Sequence, residues 1–87
     1  MFETCFRYNE FMSQFDNNEF QKSTGALMRM HRKAAGMTQQ GMADRLGVNR
    51  ATYVNMEMGR RRVPLDIVWR MASVLGVELT VLIPRAL

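Results

Sequence analysis

The stretch from Met37 to Arg60, MTQQGMADRLGVNRATYVNMEMGR, constrains this chain more than any other. Its apolar residues recur at helical spacing on either side of Gly47, which predicts two short helices joined by a tight turn. Thr38 is the N-cap candidate for the first helix, over 39–46, with Met42, Ala43 and Leu46 facing inward. Gly47 can take a positive φ in a three-residue turn. Asn49 is the next N-cap, and the second helix, over 50–58, turns Tyr53 and Met56 inward. Arg50, Ala51, Val54 and Asn55 point elsewhere. Gly59 stops that helix, and Arg60-Arg61-Arg62 forms a basic loop.

The flanks of this stretch read as a first helix before it and core completion after it. Ser23 or Thr24 can cap a helix over 24–35, with Met28, His31, Arg32 and Ala35 on its inner face and Gly36 at its end. Two of those inner residues are polar, which requires an explanation. Pro64 opens a helix over 65–75, with Leu65, Val68, Met71, Ala72 and Leu75 as its buried stripe and Trp69 beside it, in the core or at an interface. Gly76 ends it. Residues 77–83, VELTVLI, change period: Val77, Leu79, Val81 and Ile83 alternate, which predicts a strand stopped by Pro84. One strand cannot stand alone, so it needs a partner from residues 1–8 or from a second copy.

Residues 1–20 carry Phe2, Phe6, Tyr8, Phe11, Phe15 and Phe20. The spacing of Phe2 to Phe6 and Phe11 to Phe15 favours helix. The alternation of Phe2, Thr4, Phe6 and Tyr8 favours a strand, and both readings remain open. Asp16-Asn17-Asn18 reads as a break. The chain thus divides into an aromatic-rich extension (1–22), a helical domain (23–77) and a C-terminal strand segment (78–87).

Eighty-seven residues allow one small domain, in which a second chain often supplies missing burial. The lone Cys5 permits no intrachain disulfide, which fits a reducing cytoplasm. One His and one Cys cannot build a zinc site. No apolar run of about 18 residues suggests a membrane span, and the N-terminus lacks the pattern of a signal peptide. No nucleophile–base constellation or phosphate loop is visible, so an enzyme is not expected, nor a cofactor or small-molecule substrate. Charge is more informative. The net +4 is unevenly spread: residues 29–62 hold eight cations, seven of them Arg, against Asp44 and Glu57. Arginine suits phosphates and guanine edges. A basic face of this kind can also be simply solvated.

TQQGMADRLGVNRATYVNMEMGR followed by MASVLGV resembles the Cro/cI-repressor-like, or XRE, helix-turn-helix family, over residues 25–77. The resemblance implies a lambda-repressor-like domain of four to five helices that binds double-stranded DNA. Ala43 would be the small residue where the two helices touch, and Gly47 would lie in the turn. Arg32 and Glu57 match a buried structural ion pair joining the first helix to the end of the third, which would account for the polar inner face. His31 departs from the pattern and reads as a satisfied core histidine or a pH-sensing one. Arg50, Ala51 and Asn55 match groove-facing positions, with Thr52 on a base or phosphate. Gln39 and Asn49 match phosphate contacts at helix starts, and Arg60 and Arg61 match further ones.

The strand ending, with Phe20-Gln21-Lys22, is similar to HipB-type antitoxins. That implies a homodimer paired through Val77, Leu79, Val81 and Ile83, repression of its own operon, and a HipA-like kinase toxin as partner. It also implies a cytoplasmic protein of a prokaryote or phage. A free-standing XRE repressor and a protein-interaction module that has lost DNA binding are the alternatives.

Overall fold

The computed structural model describes residues 17–85. Four α-helices follow one another: α1 (Asn17–Ala34), α2 (Gln39–Leu46), α3 (Arg50–Glu57) and α4 (Leu65–Leu75), then a 3-10 turn at Leu79–Leu82. Side-chain chemistry marks where α2 and α3 begin. Thr38 Oγ1 accepts from the Gly41 N–H at 2.9 Å, and Asn49 Oδ1 from the Thr52 N–H at 2.7 Å. Each satisfies a donor that the first helical turn would otherwise leave unpaired. Gly47, at φ 73°, ends α2 in the left-handed region, where a Cβ is costly.

α1 packs on α3, α2 on both α3 and α4, and the 3-10 turn on α1 and α4. Their shared core includes Met28, Met42, Ala43, Leu46, Tyr53, Met56, Met71 and Leu82. α1 and α3 approach backbone to backbone. A Cβ at Gly25 would collide with the Glu57 carbonyl oxygen and lie 2.6 Å from that of Met56. At Gly59, a Cβ would lie 2.7 Å from Lys22 Cα. Glycine is thus a packing requirement at 25, which helical periodicity does not reveal.

The structure differs from the sequence reading at both ends. Asn17 and Asn18, the first described residues, are already helical rather than a break, and Thr24 is buried inside the helix rather than capping it. The helix runs through the expected boundary between residues 22 and 23. Ala35 lies beyond its end and is exposed.

The expected C-terminal strand is absent, and no strand occurs among the described residues. Val81 N–H bonds to the Glu78 carbonyl at 3.2 Å and Ile83 N–H to that of Thr80 at 3.3 Å, which closes a 3-10 turn instead. Val77, Leu79, Val81 and Ile83 therefore do not form a pairing edge. Leu82 is fully buried, Leu79 and Ile83 are half-buried, and Val81 is exposed. The inward positions 79, 82 and 83 follow helical spacing, a pattern hidden inside the alternation. Leu65 and Trp69 are 69% and 62% exposed, so neither joins the core. The expectations for residues 1–16, including Cys5, lie outside the described residues.

Candidate nucleic-acid interface

The turn Gly47-Val48-Asn49 sets α3 beside α2 and leaves one long side of α3 uncovered. Tyr53, Met56 and Glu57 are buried; Arg50 and Ala51 are exposed; Thr52, Val54 and Asn55 are half-buried. The sequence-selected Arg50, Ala51 and Asn55 thus lie on the outer part of one short helix. Asn49 Oδ1 is committed to its cap, while its amide N–H groups make no bond among the described residues. Arg60, Arg61 and Arg62 follow α3 on an exposed loop, which begins with the Arg60 N–H bonded to the Asn55 carbonyl at 2.9 Å.

Beneath this surface lies a buried polar cluster. Arg32 Nε donates to Glu57 Oε2 at 2.6 Å, Arg32 Nη2 to Glu57 Oε1 at 3.3 Å, and Arg32 Nη1 to the Met37 carbonyl at 2.7 Å. The fork ties α1 to the end of α3 and to the loop entering α2. Both side chains are almost wholly shielded from solvent. The hydrogen bond to Glu57 raises the guanidinium pKa against the opposing effect of burial. Burial disfavours the Glu57 carboxylate, but hydrogen bonds from Arg32 and Gln39 and the nearby guanidinium charge outweigh it, holding its pKa below the usual value.

Two neighbours of the pair are not legible in sequence. Gln39 Nε2 donates to Glu57 Oε1 at 3.2 Å, so this side chain, expected at the DNA backbone, also completes the carboxylate's bonding. The Tyr53 hydroxyl is buried with no hydrogen-bond partner among the described residues, and burial pushes its pKa up. His31 lies half-buried at the edge of α1.

The cations consequently divide into two kinds. Arg32 is neutralised within the fold, whereas Arg29, Lys33, Arg45, Arg50 and Arg60 to Arg62 form no ion pair among the described residues. These positive side chains remain available on one small domain. Among the described residues there is no group of His, Cys, Asp and Glu able to hold a metal, and no helix long and apolar enough to cross a membrane.

Comparison with known proteins agrees with this geometry. A family model described as helix-turn-helix (HTH_3) matches residues 28–82. An uncharacterized HTH-type transcriptional regulator of Methanothermobacter thermautotrophicus is 44% identical over 52 residues, spanning 60% of this chain and 75% of its own. The restriction-modification controller protein C.AhdI of Aeromonas hydrophila superposes with a TM-score of 0.73 at 28% identity, over 78% of this chain and 99% of its own. The hypothetical transcription factor NHTF from Neisseria superposes with a TM-score of 0.70 at 26% identity, over 80% of each chain. The matched residues include the capped α2–turn–α3 unit, its buried ion pair and its uncovered arginines, and the chain belongs to the XRE-type helix-turn-helix family of DNA-binding transcriptional regulators.

Proposed function

We propose that this protein is a sequence-specific transcriptional repressor that binds a two-fold symmetric operator as a homodimer. The observation that carries the reading is the division of labour on α3. Its inner side is consumed by the core and the ion pair, and its outer side presents Arg50, Ala51 and Asn55 with no ion pair to any of them among the described residues. Arg50 reads guanine through O6 and N7, Asn55 reads adenine, and Ala51 meets a thymine methyl, with Thr52 beside them. Asn49, Gln39, Arg60 and Arg61 hold phosphates on either side and fix the register.

An eight-residue recognition helix spans only a few base pairs, which favours two copies on one duplex. With no strand among the described residues to pair, the surface that suits a second copy is apolar. It runs from Leu65 past Ile83 to Val81 and Met30, across α4, the 3-10 turn and α1. Leu65 and Met30 are 69% and 55% exposed there. Patches of this kind on small proteins mark association sites. The likeness to HipB-type antitoxins, and with it a HipA-like toxin partner, drew on the strand; the 3-10 turn in its place favours the free-standing repressor.

Selection of bound duplexes from a randomised library, followed by titration, tests the DNA reading. Arg50→Ala is expected to lose about 1–3 kcal/mol on the selected duplex and to bind a scrambled one equally well. Retained discrimination by that variant counts against the reading, and a wild-type affinity insensitive to salt would favour an interaction module instead. Sedimentation tests the pairing: the wild-type chain should be dimeric at micromolar concentration, and Met30→Glu monomeric.

A further inference from the structure

Arg29 is not among the residues that either the sequence pattern or the family resemblance assigns to DNA. It lies on α1, outside the helix-turn-helix unit, yet its side chain lines the same open depression as Arg32, Thr38, Gln39, Gln40 and Arg50. Following the hydrogen bonds in this depression shows which groups are already engaged. Arg32 is bound to Glu57 and the Met37 carbonyl. Thr38 Oγ1 caps α2, Gln39 Nε2 bonds Glu57, and Gln40 Nε2 donates to Asp44 Oδ1 at 2.8 Å. Both carboxylates near the depression are therefore occupied. Among the described residues, Arg29 and Arg50 are the two members left with neither an ion pair nor a hydrogen bond. Both are exposed.

Two cations without ion-pair partners among the described residues, lining one open depression, give it a positive potential that attracts an anion. We infer that Arg29 is a backbone-positioning residue for DNA, holding the phosphate that flanks the base read by Arg50. The ligand chemistry is a phosphodiester of duplex DNA. The inference rests on the proposed DNA-binding role and deepens it, because it extends the interface from α2 and α3 onto α1. α1 is the helix to which α3 is fixed by Glu57 and by the close approach at Gly25. A phosphate held from α1 therefore sets the depth at which Arg50 enters the groove.

The test uses the full chain, a duplex selected by the wild-type protein from a randomised library, and a scrambled duplex of the same composition. Affinity is measured across a series of salt concentrations. Arg29→Ala should make the slope of log affinity against log salt shallower by about one, on both duplexes alike. Arg29→Lys should keep the wild-type slope, since a point charge suffices for a phosphate. Both variants should melt with the wild-type protein, because Arg29 is exposed and makes no bond among the described residues. A wild-type slope in Arg29→Ala overturns the inference. In that case, loss of discrimination by Arg50→Ala shows that the DNA-binding reading still stands. A wild-type protein that selects no sequence defeats both.

Discussion

The tripeptide Leu-Gly-Val occurs twice, at residues 46–48 and 75–77, and each copy ends a helix in the same way. Gly47 and Gly76 sit at φ 73° and 69°. Val48 N–H returns to the Ala43 carbonyl at 3.1 Å and Val77 N–H to that of Ala72 at 3.0 Å. Up to this point the two turns are the same object. They diverge at the next residue. Asn49 caps a full α-helix with its side chain, whereas Glu78 occupies the corresponding extended position without a side-chain cap bond and leads into a single 3-10 turn. The two downstream elements are also held differently: α3 is fixed by a buried polar cluster, the 3-10 turn by the burial of Leu82. The same stop signal thus yields a capped α-helix with an exposed side in one place and a core plug in the other, according to the cap and the contacts that come after it.

Breaking the polar anchor of the first region should have the largest effect. Arg32→Ala leaves the Glu57 carboxylate buried without its main partner and is expected to cost about 3–5 kcal/mol in denaturant unfolding. A variant as stable as wild type would remove the distinction between the regions. The same anchor predicts acid sensitivity. Because the folded pKa of Glu57 is depressed, its contribution is complete above the ordinary value of 4.5 and is lost as pH falls through the lower folded value. The stability gap between wild type and Glu57→Gln should therefore narrow in that acidic window, and a gap unchanged down to low pH would exclude the carboxylate as its source.

The second region should respond to volume rather than charge. Leu82→Ala is expected to cost about 2–5 kcal/mol with no such pH dependence. A loss under about 1 kcal/mol would mean that the 3-10 turn is ornamental. The smallest effects concern the caps themselves. Asn49→Ala should cost about 1 kcal/mol, and Glu78→Asn should gain a few tenths by supplying the missing acceptor. If the second substitution destabilises instead, the backbone at residue 78 is not the counterpart of that at 49.

The legible part of this fold is the part with strong local chemistry. Thr38, Asn49, Gly47 and Pro64 mark helix ends through side-chain acceptors or restricted backbone geometry, so the limits of α2 and α4 follow from the sequence, and α3 ends one residue earlier than expected, at Glu57. Arg32 and Glu57 are 25 residues apart, and their meeting is expected from the family pattern rather than from spacing. Residues 77–83 mislead because they satisfy two periods at once. Alternation joins 77, 79, 81 and 83, while burial follows 79, 82 and 83, and seven residues are too few for periodicity to choose. Asn17 and Asn18 read as a break on composition, yet both are helical, because composition alone is a weak guide to a helix held by tertiary packing. Gln39 at Glu57 and Arg29 beside Arg50 depend on where helices cross, which no local pattern carries.

The absence of a side chain at Gly25 has a consequence for how such a protein can acquire a new target. With α1 and α3 in backbone contact, the angle of α3 to the rest of the domain is set by main-chain atoms, which no ordinary substitution adjusts gradually. On the proposed DNA-binding role, a change of operator comes through exchange of the outward side chains at 50, 51 and 55 on a fixed mount. The reading surface behaves like interchangeable type in a rigid press: the letters can be reset, but not the angle at which they strike.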